Sequence, residues 1–296
     1  MHKEKARTLM HEQSECVSVP VPTPCINVCR LDEATGLCLG CARNGAEIAA
    51  WAEADAVFKR TVWETLPSRR TRLGMSVYRL PWTVAEIGAF VEASLRERSG
   101  IWTFGAYGAS VSFAIGAGEG AEIAHTPDAV TAVTARGALR LLKHEKTIAI
   151  AFGSAADPRG AEAIGLVLPR GRVSLQRGAR LDEGAILEAH RHYTLLPISP
   201  EDGDMTARLY RRASDARGLN EAGDAATALL AGRAQWVAET GLGRAEIHGV
   251  DGSGNGPIFD CSAARSAGAR GLPPGWELDR IFALGALFRK DGYTQP

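Results

Sequence analysis

The chain has 296 residues, a formal net charge of zero, 45% apolar residues and 23% charged ones. That length suits one large domain or two smaller ones. The composition excludes a disordered polar chain, and the balanced charge gives no global pull toward nucleic acid or an acidic membrane. No apolar run reaches the ~18 residues of a membrane span, and the start, MHKEKARTLMHEQSEC, lacks the hydrophobic stretch of a secretory signal.

Residues 1–22 read as a flexible tail that closes in a Pro-rich linker, VSVPVPTP, whose prolines favour an extended chain. Residues 23–73 follow as a separate module. Four of the six cysteines crowd into it as Cys25-x3-Cys29-x8-Cys38-x2-Cys41. Four thiols so close in sequence are a ready-made tetrathiolate set for one zinc ion or one small iron–sulfur cluster. Gly40 and Gly36 supply the tight turns that such a set needs, and Pro24 fixes the approach to Cys25. Arg30 and Arg43, each directly after a cysteine, are placed to offset the negative charge of bound thiolates. Crowded cysteines and no signal segment fit a reducing cytoplasm and metal ligation better than disulfides. Cys16 and Cys261 are not expected to be ligands, because the quartet is complete without them.

After Cys41, Asn44-x-x-Glu47 has the form of a capping box, opening a short helix with Ile48 and Trp51 on one face. A second helix is predicted from Asp55 to Leu66, with Phe58, Val62 and Leu66 in one stripe and Pro67 as its stop. So few apolar anchors would be marginal alone, which makes a metal staple reasonable.

From residue 81 to 296 the chain turns rich in alanine, glycine and arginine, and strand-like alternation sets in. Ile101–Ile115 reads as two strands around Gly105 and Gly108. Val130–Thr134, Thr147–Phe152 and Ile164–Leu168 read as further strands, and Gln235–His248 as a hairpin turning at Gly241-Leu242-Gly243. Helices are predicted at Val84–Arg98, Ala185–His192, Ala225–Gly232 and Leu278–Arg289. Strands come in runs rather than in strict alternation with helices, so the expected class is α+β: a small metal-stapled helical module before a larger mixed domain.

The residues PC-x3-CRLD, GLC-x-GC-x-R, EI-x-x-W and LP-x-RR, from Pro24 to Arg70, resemble a small bacterial family catalogued as domain of unknown function 1289 and labelled predicted iron–sulfur protein. Asn44 departs from the Thr expected there, but both cap helices. The resemblance covers about one-sixth of the chain. It implies a metal-binding module and no particular activity. Spacing leans to a closed zinc site and the family label to iron–sulfur, so both stay open.

Weaker signals have plainer readings. Gly116-Ala-Gly118-Glu-Gly120 is read as a turn between strands, since no helix follows to make it a dinucleotide loop. Asp251-Gly-Ser253-Gly-Asn255-Gly256 has the first half of a calcium loop, but Ser262 stands at the twelfth position, where a bidentate Glu is needed. His190 and His192 lack a third ligand nearby, and His125, His144 and His248 stand singly. Lys59, Arg60, Arg69, Arg70 and Arg72 are read as a solvated helix face rather than a nucleic-acid surface, because Glu53, Asp55 and Glu64 interleave with them.

The expected function is that of a cytoplasmic metal-binding protein without a catalytic motif, serving interaction or metal and redox sensing through Cys25, Cys29, Cys38 and Cys41. Two alternatives stand beside it: an iron–sulfur electron-transfer protein or enzyme with a substrate pocket in the larger domain, and a regulator that binds nucleic acid. A protein partner is left open; no nucleic-acid or membrane partner is expected.

Overall fold

The computed structural model of the chain describes residues 20–27, 29–106, 109–153, 161–169, 193–196, 207–212, 236–247, 256–258 and 282–290. Helices and antiparallel sheets coexist in it, the mixture expected, with the strands stacked as two sheets.

Helix α1 (Gly45–Ala50) opens at the expected capping box: the Glu47 N–H donates to Asn44 Oδ1 at 2.8 Å, and the Asn44 N–H donates to Glu47 Oε2 at 3.0 Å. Helix α2 (Ala56–Arg72) starts at Asp55, whose side chain accepts from the Phe58 N–H. Pro67 does not stop it; the helix runs one and a half turns further. An internal proline costs about 3 kcal/mol, and the final turn carries anchors that offset this. Arg69 forks onto both oxygens of Glu47 at 2.6 and 3.0 Å, and Arg70 is buried over the Tyr78 ring. Helix α3 (Val84–Glu97) has its own capping box between Thr83 and Glu86 and buries Ile87, Val91 and Leu95.

The strands are β1 (Val77–Arg79), β2 (Gly100–Ala106), β3 (Ala109–Phe113), β4 (Ala121–His125), β5 (Ala129–Thr134), β6 (Gly137–Leu142) and β7 (Ile148–Phe152). They continue as β8 (Ala163–Pro169), β9 (Tyr193–Leu196), β10 (Ala207–Arg212), β11 (Trp236–Thr240), β12 (Gly243–Ile247), β13 (Gly256–Ile258) and β14 (Phe282–Lys290). The first sheet runs β1-β7-β8-β14-β2-β3-β13 and the second β4-β5-β6-β12-β11-β10-β9. Every described pairing is antiparallel.

Their inner faces share one core. Trp102, Phe104, Val111, Phe113, Leu166 and Phe288 from the first sheet are buried with Val130, Leu139, Leu141, Trp236 and Ile247 from the second. Ala42, Val62 and Leu66, from the cysteine segment and α2, belong to the same buried cluster. A second cluster covers the outer face of the first sheet: Val77, Ile148, Ile150, Phe152, Val167 and Leu287 close around Ile26. The cysteine segment and α2 thus contribute side chains to the clusters on both faces of the first sheet.

The hairpin at residues 235–248 and the strands at 101–115, 130–134, 147–152 and 164–168 lie where expected. The helix expected at Leu278–Arg289 is instead strand β14. Its register shifts between Leu284 and Ala286, and Ala286, Leu287 and Phe288 are buried on both faces. A strand covered on both sides and interrupted by a bulge shows no period-two alternation, so its apolar run imitates a helix. Gly285 sits at that bulge: a Cβ there would come within 2.5 Å of Leu242 at the tip of the β11–β12 turn. The predicted helices at 185–192 and 225–232 lie outside the described residues.

Candidate metal centre

The loop from Cys29 to Cys41 folds on itself through short-range bonds. Asp32 accepts from the Thr35 N–H at 2.9 Å and hydroxyl at 2.6 Å, and Gly36 takes φ +67° to reverse the chain. Leu31 then bridges to Cys38, and Leu37 to Asn44. Around the Cys38–Cys41 pair the Ala42 N–H donates to the Cys38 carbonyl at 2.7 Å, with Ala42 itself at φ +62°. This turn aims the Gly40 N–H at Cys38 Sγ, 3.4 Å away. Asn27, at φ +61°, directs its N–H onto Cys25 Sγ at 3.2 Å in the same manner. Positive φ at two residues other than glycine is a local cost, offset here by the N–H groups that these turns present to sulfur.

The four thiols are differently exposed: Cys38 and Cys41 are buried, Cys25 is half-buried and Cys29 is exposed. They stand as two pairs. Cys41 hydrogen-bonds to Cys38, which lowers the Cys38 pKa, helped by backbone N–H groups of Gly40, Cys41 and Arg30. The same bond, with burial, pushes Cys41 up. Burial raises Cys29 first, and Cys25 and Cys38 add to it, so its neighbours belong to both pairs. Among the described residues no three His, Cys, Asp or Glu side chains converge into a metal-holding group.

Three arginines bear on these sulfurs. Arg43 donates from Nε to Cys41 Sγ at 3.4 Å and lies 4.6 Å over the Trp51 ring. Arg70, on α2, lies 4.7 Å over Tyr78 and 5.3 Å over Trp63 and donates to the Arg79 carbonyl. Burial lowers its pKa to about 10, while Tyr78 and Cys41 act in the opposite direction. Arg79, on β1, is lowered by burial and feels Cys25. Arg43 Nη1, Arg70 Nε and Arg79 Nε are buried without a hydrogen-bond acceptor. Orphaned cationic donors beside thiols fit a group that would leave the cysteines net negative, as four thiolates on one divalent cation do.

Of the two arginines expected to offset charge, Arg43 is at the centre, whereas Arg30 is exposed. Arg70 and Arg79 were not singled out for this role. The signal for Arg70 was present: it extends the Phe58–Val62–Leu66 stripe by another four residues. Nor is the basic run of α2 a single solvated face. Arg69 is held by Glu47, Arg70 is buried, and Lys59 lies 5.9 Å from the Trp51 ring.

Elsewhere, Gly116–Gly120 forms the turn between β3 and β4. Arg98 clamps it by donating to the Gly116 and Glu119 carbonyls, each at 2.6 Å. His125 Nδ1 lies within hydrogen-bond distance of Glu92 Oε2, at 2.7 Å. Cys16, Cys261, His190, His192, His248, Asp251, Ser253, Asn255 and Ser262 lie outside the described residues. No helix among the described residues is long and apolar enough to cross a membrane.

Two family models match. Residues 23–70 match the protein of unknown function DUF1289, the family that the cysteine motif resembles. Residues 86–258, more than half of the chain, match the family of unknown function DUF6925. No curated protein and no solved structure matches. The chain thus belongs to the DUF6925 family and carries a DUF1289 segment ahead of the matched region.

Proposed function

We propose that this is a metal-binding protein whose Cys25, Cys29, Cys38 and Cys41 hold one zinc(II) ion or one small iron–sulfur cluster, and that it serves interaction or metal and redox sensing rather than catalysis. The observation that carries the reading is the buried Cys38–Cys41 turn, with backbone N–H groups aimed at Cys38 Sγ and Arg43 at Cys41 Sγ. Such a turn favours the thiolate at Cys38, the form that binds metal. When bound, zinc(II) supplies a closed structural cross-link, and an iron–sulfur cluster supplies one-electron chemistry. The protein's own part is to hold two sulfurs buried and two near the surface. Thiols kept reduced fit a cytoplasmic location.

Metal analysis of anaerobically purified full-length protein, with its absorption spectrum, tests this. Stoichiometric zinc in a colourless protein supports the first reading, and iron with sulfide in a brown protein the electron-transfer alternative. Cys→Ser at any of the four positions lowers bound metal sharply, whereas Cys16→Ser and Cys261→Ser leave it unchanged. Full metal content in a Cys38/Cys41 double variant sinks the assignment.

A further inference from the structure

We propose that Arg43, Arg70 and Arg79 are the fixed counter-cations of the cysteine centre, and that Arg70 and Arg79 couple its occupancy to the stability of the sandwich edge. The inference rests on the metal-binding reading above and adds what the sheet side of the molecule contributes to it.

The three guanidinium groups come from three places: the loop after Cys41, the last turn of α2, and the edge strand β1. Arg43 and Arg70 are each 4% exposed. Among the described residues no carboxylate lies within ion-pair distance of any of the three; Glu47, whose carboxylate feels Arg43, is spent on Arg69. Arg43 faces the Trp51 ring and Cys41 Sγ, and Arg70 faces the Trp63 and Tyr78 rings. Arg79, whose Nε is buried without an acceptor, feels the charge of Cys25, as Arg70 feels that of Cys41. A buried cation without an anion opposes folding, and a ring face compensates only part of its lost hydration. Four thiolates around a divalent cation carry a formal charge of about minus two, which is the anion that this arrangement lacks. Arg70 also donates to the Arg79 carbonyl at 3.3 Å, which ties the last turn of α2 to the edge strand that carries Arg79.

The thermodynamic consequence distinguishes this role from ordinary packing. A group that binds only the folded state stabilises it in proportion to its affinity. Removing a counter-cation therefore weakens metal binding and narrows the gap between loaded and metal-free stability. It costs the metal-free protein less, because there ring faces and a backbone carbonyl compensate the cation only in part.

The test uses the full chain with Arg70→Met, which keeps the apolar stem, and Arg79→Gln, at a half-buried position less prone to disrupt folding. Zinc(II) affinity is measured by competition with a chromophoric chelator, or, if the protein is brown, cluster loss to EDTA is timed. Thermal melts are recorded loaded and chelated. The expected result is a loss of affinity, or a faster cluster loss, of roughly tenfold for each variant, with melting lowered more in the loaded than in the chelated protein. Wild-type affinity in both variants, with melting lowered equally in both states, overturns the proposal and leaves the arginines as packing residues. Should Arg70→Met not fold when chelated, Arg79→Gln decides by the same two outcomes. Wild-type protein that takes up neither zinc nor iron overturns the metal reading itself, a result distinguishable from failure at the arginines.

Discussion

Ile26, one residue after Cys25, is 1% exposed and packs in one cluster with Val77 on the edge strand of the first sheet. The rest of that cluster, Ile148, Ile150, Phe152, Ala163, Val167 and Leu287, comes from β7, β8 and β14. The side chain next to the first ligand thus completes the outer core of the sandwich. Residues 23–73 and 81–296 are proposed as two units of the chain, and this contact is one place where they meet. Ile26→Ala is expected to cost about 2–5 kcal/mol, the range for a truncated core isoleucine. It should lower the unfolding midpoint of the whole chain in a single transition. A loss of structure around the cysteines that leaves the sheet transition in place would show the contact to be local.

Much of the sandwich was legible because short apolar runs bounded by turn residues mark strands, even where, as in β7, β8 and β12, both faces are buried. The pair 235–248 turns at Gly241-Leu242-Gly243, and Gly243 takes φ +139° where a Cβ would meet the Arg140 carbonyl. β14 was not legible, since its bulge and two-sided burial erase the alternation. The extension of α2 past Pro67 depends on Glu47, twenty-two residues from Arg69, and no local propensity carries that. The grouping of the four cysteines as a candidate centre comes from their spacing. The influence of Cys25 on Arg79 was not legible, because it arises where the edge strand meets a segment some fifty residues earlier.

Glu246 on β12 is 2% exposed, and burial pushes its carboxyl up to about 7, with Arg244 at 3.4 Å pulling the other way. Its folded pKa lies above the unfolded one, so between about pH 4.5 and 7 the folded state holds the extra proton. This group's contribution is fully present below that window and is lost as pH rises through it. Glu246→Gln should flatten that slope and gain on the wild type toward neutral pH. Urea midpoints across the window check it; parallel curves for the two proteins would refute it.

Glu119 has the opposite sign. Arg136 donates to both its oxygens, at 2.9 Å from Nε and at closer range from Nη2, and the Gly116 N–H adds a bond at 2.9 Å. The guanidinium holds the carboxyl down at about 2. Its stabilisation is present above about pH 4.5 and is lost as pH falls toward 2. Glu119→Gln should be less stable than the wild type at neutral pH, with the difference closing on acidification. The turn between β3 and β4 is the segment released, so amide exchange at Gly116–Gly120 should rise first. A stability gap that persists at the acid end would place the effect in packing rather than charge.

Trp51 closes the series. The sequence suggests a core tryptophan, and Trp51 does pack against the core, but it caps α1 half-buried, with the Arg43 guanidinium 4.6 Å above its ring and Arg43 Nε donating to Cys41 Sγ. The ring thus holds the arginine that screens the sulfur. A cation–π contact of this kind contributes about 0.5–2 kcal/mol, which corresponds to roughly a two- to thirtyfold change in how often Arg43 leaves Cys41. In chelated Trp51→Leu protein, alkylation of Cys41 should accelerate within that range, with Trp51→Phe falling between the variant and the wild type. The rate is read by peptide mass spectrometry as a ratio to Cys29, which is exposed already. Global unfolding would bring the two rates together, so the ratio is compared in buffer where each variant remains folded by circular dichroism. An unchanged ratio in both variants would mean that Arg43 is held without the ring, by its bond to sulfur and by burial.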